Sequence, residues 1–273
     1  MRFEFEKWEA IGNDFVVVRD LASNVGHWQS RAADLCDRHV GIGADGILVV
    51  DASVPSMTVV NADGSVSEMC GNGIRCVVGH LLNKTGAQSA ELRLRSEAGW
   101  HDCSAVRGRD RCWDVRVGMG TPSFAPSDAS ATSAGGPLDA VETIAGPAYI
   151  ASIGNPHLVL FDPPASVNPA VDGPRLERDP RFAKRTNVEF VTERADGGLD
   201  VIVWERGVGF TQACGSGAVC VAAVAVGLGR RQAGTPVAVH LPGGALECTV
   251  EDGGAVTMKG PARLVYSGVL GQY

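Results

Sequence analysis

Two cysteines stand where a thiol can do acid–base work. Cys70 lies in Asn61-Ala62-Asp63-Gly64-Ser65-Val66-Ser67-Glu68-Met69-Cys70-Gly71-Asn72-Gly73-Ile74-Arg75-Cys76. Cys214 lies in Glu205-Arg206-Gly207-Val208-Gly209-Phe210-Thr211-Gln212-Ala213-Cys214-Gly215-Ser216-Gly217-Ala218-Val219-Cys220. Each is followed by Gly-x-Gly, by a second cysteine six positions on, and by an apolar run of helical length. A free thiol titrates near pH 8.5, and a helix N-terminus can draw it toward neutrality, where the thiolate becomes a usable base. A thiolate and a thiol on opposite faces of one carbon can remove a proton on one side and return one on the other, which is stereoinversion. The carbanion formed beside a carboxylate needs preorganised donors, and Gly71-Asn72-Gly73 and Gly215-Ser216-Gly217 offer backbone N–H groups at two helix starts. Losing one such donor from an oxyanion site costs about 3–4 kcal/mol, so a double set suits a difficult deprotonation.

Plainer readings apply to the other candidates. A buried cysteine ordinarily acts as a small hydrophobe, and Cys36, Cys76, Cys103, Cys112, Cys220 and Cys248 read that way. Cys76 and Cys220 fall inside the apolar helices and so face the core. A structural disulfide between Cys70 and Cys214 is not expected among reduced thiols. His157 reads as a residue that shapes the site rather than as a general base, and Asp63, Glu68 and Arg75 as turn or surface residues.

The elements that must carry these residues follow from periodicity. Strands are predicted at Arg2–Glu9, Asp14–Val18, Ile47–Val50, Met57–Val60, Leu92–Ser96, His101–Val106 and Trp113–Val117. A helix is predicted over Gln29–His39 and a buried one after Cys70, with Ile74, Val77, Val78, Leu81 and Leu82 on its apolar face. Thr121–Leu138, rich in Pro, Ser, Ala and Gly, reads as a connector. Further strands are predicted at Ala140–Ile153, His157–Phe161, Val188–Thr192, Leu199–Trp204, Val237–Leu241, Ala245–Val250, Ala255–Lys259 and Arg263–Ser267. A helix from Gly215 to about Arg230 follows Cys214.

The two parts repeat one another. Ala10-Ile11-Gly12-Asn13-Asp14-Phe15 matches Ser152-Ile153-Gly154-Asn155-Pro156-His157 at an offset of 155 − 13 = 142, which also sets Asp45 against Asn187. At the cysteines the offset is 214 − 70 = 144, which sets Asn61 against Glu205. An ancestral duplication accounts for ordered matches of this kind. Two halves of this sort would face each other across a cleft, one cysteine on each wall.

Composition bounds the rest. At 273 residues, with 45% hydrophobic and 20% charged residues, the chain reads as a soluble globular protein of one large or two ordinary domains. A net charge of −7 argues against nucleic acid or an anionic membrane as partner. Neither CxxC nor HExxH occurs in the sequence, so no zinc site is expected. Eight cysteines without a secretion signal read as reduced, cytosolic thiols.

The chain resembles the diaminopimelate epimerases. The resemblance rests on Gly12-Asn13-Asp14-Phe15, Arg38-His39-Val40-Gly41-Ile42-Gly43-Ala44-Asp45-Gly46, Asn61 through Cys76, Gly154-Asn155-Pro156-His157, Arg185-Thr186-Asn187, and Glu205 through Gly217. It implies an α/β (α+β) fold of two pseudo-symmetric duplicated domains, each a curled β-sheet around a central helix, with the active site in the interdomain cleft. The domains would be 1–118, with a returning strand at about 264–273, and 119–263. It implies Cys70 and Cys214 as the acid/base pair, no cofactor, and a small-molecule substrate, diaminopimelate. Asn13, Asn61, Asn155, Asn187, Glu205 and Arg206 would contact the substrate, chiefly its distal amino acid end. Backbone at Gly71, Asn72, Gly215 and Ser216 would hold the reacting carboxylate. Family members are often homodimers. Two positions depart from the family: Phe210, where many members carry Glu, and Gly46, where some carry Gln; Phe210 is thereby a second candidate for shaping the site.

The chemistry is consistent with that carry-over. A far carboxylate calls for a guanidinium such as Arg206, and a far ammonium for acceptors such as Glu205 and the asparagine oxygens. Two alternatives stay open. One is a racemase of another amino acid on the same scaffold, of the histidine, proline or O-ureidoserine type. The other is a non-catalytic amino acid receptor or redox sensor.

Overall fold

A computed structural model describes residues 2–19, 24–51, 53–67, 69–124 and 138–271. Most of the predicted connector and Glu68 lie outside the described residues. The fold is mixed α+β, rich in strands, and consists of two compact units, Met1–Val117 with Lys259–Tyr273, and Gly118–Met258.

In the first unit β1 (Phe3–Ala10) and β2 (Asn13–Arg19) form an antiparallel hairpin. Its tip is Ile11-Gly12, both with positive φ (49° and 84°), and a β-branched residue is rarely found there. Two short helices follow, α1 (Val25–Gln29) and α2 (Ala32–Cys36), then β3 (Gly46–Asp51), parallel to β2, and β4 (Ser56–Asn61), antiparallel to β3. The two-residue β5 (Val66–Ser67) turns back along β4 and leads into α3 (Gly71–Asn83). β6 (Ser89–Ser96), β7 (Gly99–Arg107) and β8 (Cys112–Gly120) form an antiparallel meander.

The second unit repeats the plan. β9 (Val141–Thr143) pairs with β10 (Gly146–Ser152), which forms a hairpin with β11 (Pro156–Phe161). After α4 (Pro169–Glu177), β12 (Asn187–Glu193) runs parallel to β11, and β13 (Leu199–Glu205) returns antiparallel. β14 (Gly209–Phe210) turns back along β13 and leads into α5 (Gly215–Gly227). β15 (Val237–Leu241) and β16 (Gly244–Val250) follow. The last strand, β17 (Val256–Leu270), belongs to the first unit from Lys259 onward and there pairs with β1 from Phe3↔Leu270 to Glu9↔Arg263.

Each unit is built around one helix. α3 packs on β1, β2, β3, β4, β6 and β7, and α5 on β10, β11, β12, β15 and β16. Eleven residues of α3 are buried, including all its first ten, and eleven of α5; α5 is apolar nearly all round, whereas α3 buries Asn72, Arg75 and His80 among its apolar residues. Gly79 lets α3 approach the indole of Trp8, since a Cβ there would come within 2.6 Å of the ring.

Several predicted elements need correction. The helix predicted over Gln29–His39 is two helices broken at Ser30-Arg31, and it stops at Cys36 because Ile42 and Gly43 donate to the Leu35 carbonyl. The strand predicted at Ala140–Ile153 is two strands joined by a turn at Ile144-Ala145. The strands predicted at Ala255–Lys259 and Arg263–Ser267 are one, β17, which runs through Pro261. α4 went unpredicted: Asn168 caps it and Pro169 suits its first turn, but Gly173 and Pro174 hide the helical pattern. The repeat alignment slips by one residue at Asn187. Phe15 faces Gly46 across β2 and β3 as His157 faces Asn187 across β11 and β12, so Asn187 is the counterpart of Gly46, not of Asp45.

Candidate active site

Each central helix starts at a cysteine. Cys70 is extended (φ −147°) and the chain turns helical at Gly71; its Sγ accepts the Gly73 N–H at 3.3 Å. Cys214 is extended (φ −123°) and its Sγ accepts the Gly217 N–H at 3.4 Å. Both helices are thirteen residues long and start 215 − 71 = 144 positions apart. Sulfur thus takes the capping place that Ser, Thr, Asp or Asn usually fills, beside the positive end of the helix dipole. The third helical residue is glycine for lack of space. A Cβ on Gly73 would lie 2.9 Å from Leu48 Cδ2 and 3.3 Å from Cys70 Sγ, and one on Gly217 2.7 Å from Glu189 Oε1 and 3.2 Å from Cys214 Sγ.

In the first unit Cys70 is half-buried. Asn72, buried in the first turn, donates from Nδ2 to Asn13 Oδ1 at 3.2 Å, and Asn13 Nδ2 donates to Asp45 Oδ2 at 2.7 Å. Arg38 bridges Asp45 and Asp14, and Lys7 pairs with Asp14 at 2.7 Å. Burial by itself would raise the Asp14 carboxyl, yet the Arg38 and Lys7 contacts hold it down at about 2. Arg75, predicted as a turn or surface residue, is fully buried; it donates to Asn72 Oδ1 at 2.8 Å and to the carbonyls of Gly71 and Pro261. Asn61, at the end of β4, donates to Ser65 Oγ at 2.9 Å. Asp63 does hold its turn, accepting from Ser65 N–H and Oγ.

In the second unit Cys214 is only 6% exposed. Burial pushes its thiol well above the ordinary range, the Glu205 and Glu189 carboxylates push it further, and the bonds from Ser216 and Gly217 partly offset them. At Cys214 desolvation by burial opposes the pull of the helix start. Ser216 Oγ lies 3.5 Å from Cys214 Sγ and accepts from Asn155 Nδ2 at 3.2 Å. Asn155 Oδ1 is 3.1 Å from His157 Nε2, and His157 Nδ1 is 2.6 Å from Glu189 Oε1. Asn187 ties the loop together, donating to the Pro156 carbonyl and accepting the Arg206 backbone N–H at 2.9 Å. The Glu205 carboxylate accepts from Thr211 Oγ1 at 2.6 Å, and the Arg206 side chain donates to the Lys184 carbonyl at 3.3 Å. Phe210 is half-exposed and packs edge-on against Trp204.

The remaining cysteines are buried, apart from the half-buried Cys112. Among the described residues, His157, Glu189 and Cys214 are the one trio whose potential ligand atoms lie within 4.8 Å of one another. The hydrogen bond between His157 and Glu189 already accounts for part of that gathering. A cavity of about 600 Å³ in the first unit lies toward the far end of α3, near His80 and Lys84, and holds neither cysteine.

Two polar residues around these sites escaped the sequence reading, and a third, Arg75, was read as exposed. Glu189 is an acid inside the apolar strand Asn187-Val188-Glu189-Phe190-Val191, and that break in the pattern was its one signal. Glu177 is buried and accepts from Trp204 Nε1 and the Gly207 N–H, which fixes the loop behind Arg206. The buried position of Arg75 had no sequence signal at all.

The overall fold is shared with proteins that act on amino acids and with others. A hydroxyproline epimerase from Agrobacterium vitis, solved with bound trans-4-hydroxy-L-proline, superposes with a TM-score of 0.71 at 14% identity, over 98% of this chain and 91% of that one. A phenazine biosynthesis protein of the PhzF family from Bacillus anthracis superposes with a TM-score of 0.70 at 12% identity, over the whole of both chains. These likenesses define the fold class, a duplicated mixed α+β scaffold. Sequence narrows it: the diaminopimelate epimerase family model matches residues 5–125 and 149–265. Diaminopimelate epimerases of Carboxydothermus hydrogenoformans and Desulforudis audaxviator are 36% and 39% identical, each over 97% of this chain and 98% of its relative. The chain belongs to the diaminopimelate epimerase family.

Proposed function

We propose that the protein interconverts LL- and meso-2,6-diaminopimelate without a cofactor, using Cys70 and Cys214 as a two-base pair. The observation that carries this is the repeated helix start, in which a sulfur caps each central helix and accepts the N–H of a glycine three residues on. In the reaction one thiolate takes the α-proton, and the C–H electron pair passes into the α-carbon and its carboxylate. The opposing thiol then donates its proton to the other face, and the two sulfurs end with their protonation exchanged.

The backbone N–H groups of Gly71, Asn72, Gly215 and Ser216 are assigned to the reacting carboxylate, whose charge grows in the transition state. Asn13, Asn61, Asn155 and Asn187, with Glu205 and Arg206, are assigned to the distal amino acid end, and His157 and Phe210 to shaping the site. This reading puts the enzyme in the cytoplasm as a homodimer. Family membership supports it, as does the presence of both cysteines and of the asparagine, Glu205 and Arg206 positions.

The test is kcat/KM for α-proton exchange on LL-diaminopimelate, lysine and histidine. Lysine lacks the distal carboxylate and would leave Arg206 without its partner. Losing a buried charged partner costs on the order of 2–5 kcal/mol, so diaminopimelate should lead by about 30-fold or more. Lysine or histidine matching diaminopimelate would overturn the substrate assignment and leave only the two-thiol chemistry.

A further inference from the structure

Two buried positions distinguish the halves more sharply than the cysteines do. Strand register sets His157 where the first unit has Phe15, and Glu189 where it has Leu48. Val17 and Val59 flank Leu48 on its neighbouring strands as Val159 and Val203 flank Glu189. The glycines give the same equivalence, since a Cβ on Gly73 would strike Leu48 and one on Gly217 would strike Glu189. Phe15 and Leu48 are plain core residues, whereas the His157 and Glu189 side chains are both 0% exposed and bonded to each other.

Stability does not account for that exchange. Taking a carboxylate out of water costs several kcal/mol even when it is paired, and packed hydrocarbon of similar volume is commonly as stable or more so. The first unit shows that this fold accepts hydrocarbon at both positions. Glu189 carries a second cost, because its Oε2 is buried with no hydrogen-bond partner.

What the pair does provide is a chain of contacts to one thiol. The hydrogen bond of 2.6 Å between His157 Nδ1 and Glu189 Oε1 fixes the orientation of the ring. The fixed ring meets Asn155 at 3.1 Å, the Asn155 amide meets Ser216 Oγ at 3.2 Å, and Ser216 Oγ meets Cys214 Sγ at 3.5 Å. We infer that Glu189 is a positioning residue for Cys214, holding the imidazole, and through it the Asn155 amide and the Ser216 hydroxyl, in register with that sulfur. This rests on the reading of Cys214 as one of the two acid/base groups. It adds that the two thiols of the duplicated site are supported by different means.

The experiment uses the full-length enzyme and three variants: Glu189→Gln, Glu189→Leu, and His157→Phe with Glu189→Leu, which installs the first unit's pair. Melting temperature, kcat and KM on LL-diaminopimelate, and site-resolved alkylation of Cys70 and Cys214 across pH are measured. The double variant should fold with a Tm no lower than wild type, while kcat falls about tenfold or more, as when a histidine loses an outer carboxylate partner. The pH profile of Cys214 alkylation should move and that of Cys70 should not. Glu189→Gln should retain more activity than Glu189→Leu, and it carries the test if the double variant does not fold. A double variant within about twofold of wild type, a change small beside the usual outer-partner effect, would overturn the inference; so would equal movement of both alkylation profiles. A wild-type enzyme inert toward diaminopimelate would count against the proposed function instead, and the Cys214 alkylation profile would still test Glu189.

Discussion

The surroundings of Cys70 and of Cys214 differ although their backbones do not. Both sulfurs cap a thirteen-residue helix and accept the N–H of the third helical residue. Beneath Gly73 lies Leu48, and beneath Gly217 lies the carboxylate of Glu189. The position after the cap's first glycine is Asn72 in one unit, held by the buried Arg75, and Ser216 in the other, in contact with Cys214 itself. Cys70 is half-buried; Cys214 is closed in and sits near two carboxylates. The lesson is that duplication kept the device that places a sulfur and changed what sets its affinity for a proton. In the proposed mechanism each thiol is base in one direction and acid in the other, and the unlike surroundings bear on which of them holds the proton in the free enzyme.

The comparison breaks outright if either thiol proves dispensable. Cys70→Ala and Cys214→Ala should each lower inversion by at least about a hundredfold, the lower end of what a positioned acid or base contributes. Cys36→Ala and Cys248→Ala should leave kcat nearly intact in the same assay. The next effect is on reactivity. In the free enzyme at pH 7.5, iodoacetamide should label Cys214 about tenfold or more slowly than Cys70, because the thiolate is the nucleophile and burial pushes the Cys214 thiol up. Raising the pH should speed labelling of Cys214. Removing the bond that lowers its pKa, by Ser216→Ala, should slow it further, as quantified by peptide mapping.

Arg206→Lys tests the distal end, which both units are assigned to serve. An ammonium cannot reproduce a planar fork, so the preference for diaminopimelate over lysine should shrink by about tenfold, roughly 1.4 kcal/mol. The smallest effect concerns the charged cluster of the first unit. Asp14 is held at about 2, below the ordinary 3.8, so its stabilising contribution is present above about pH 4 and is lost as pH falls toward 2. Acid unfolding should show a loss on the order of 1–2 kcal/mol across that window after solvent screening, and Asp14→Asn should remove that part of the pH dependence.

Much of this was legible in the sequence because its signals are local. The Cys-Gly-x-Gly repeat gives the helix starts, and alternation gives most strands; both depend on neighbours along the chain. What stayed hidden depends on neighbours in space. Arg75 sits in a helical turn that reads as exposed, yet its guanidinium is folded back onto Gly71, Asn72 and Pro261. Glu189 occurs in an apolar strand where an acid looks like a solvent-facing residue, and only the strand register sets it against Gly217. The spacing of Ala32, Leu35, Cys36 and His39 predicts a helix as far as His39, whereas contacts in space, from Ile42 and Gly43 to the Leu35 carbonyl, end it at Cys36. The burial of Cys214 was not legible, because a helix start is visible in sequence and the depth of burial is not.

The central claim is that two thiols, not one, handle the α-proton, and the position of solvent deuterium tests it most directly. LL-diaminopimelate is incubated with the enzyme in heavy water, and label at the α-carbon is measured in product and in recovered substrate at low conversion. With Cys70 and Cys214 serving opposite faces, the inverted product carries deuterium while the recovered substrate remains mostly protiated. Equal labelling of substrate and product from the earliest times would mean that one base serves both faces, and it would contradict the account.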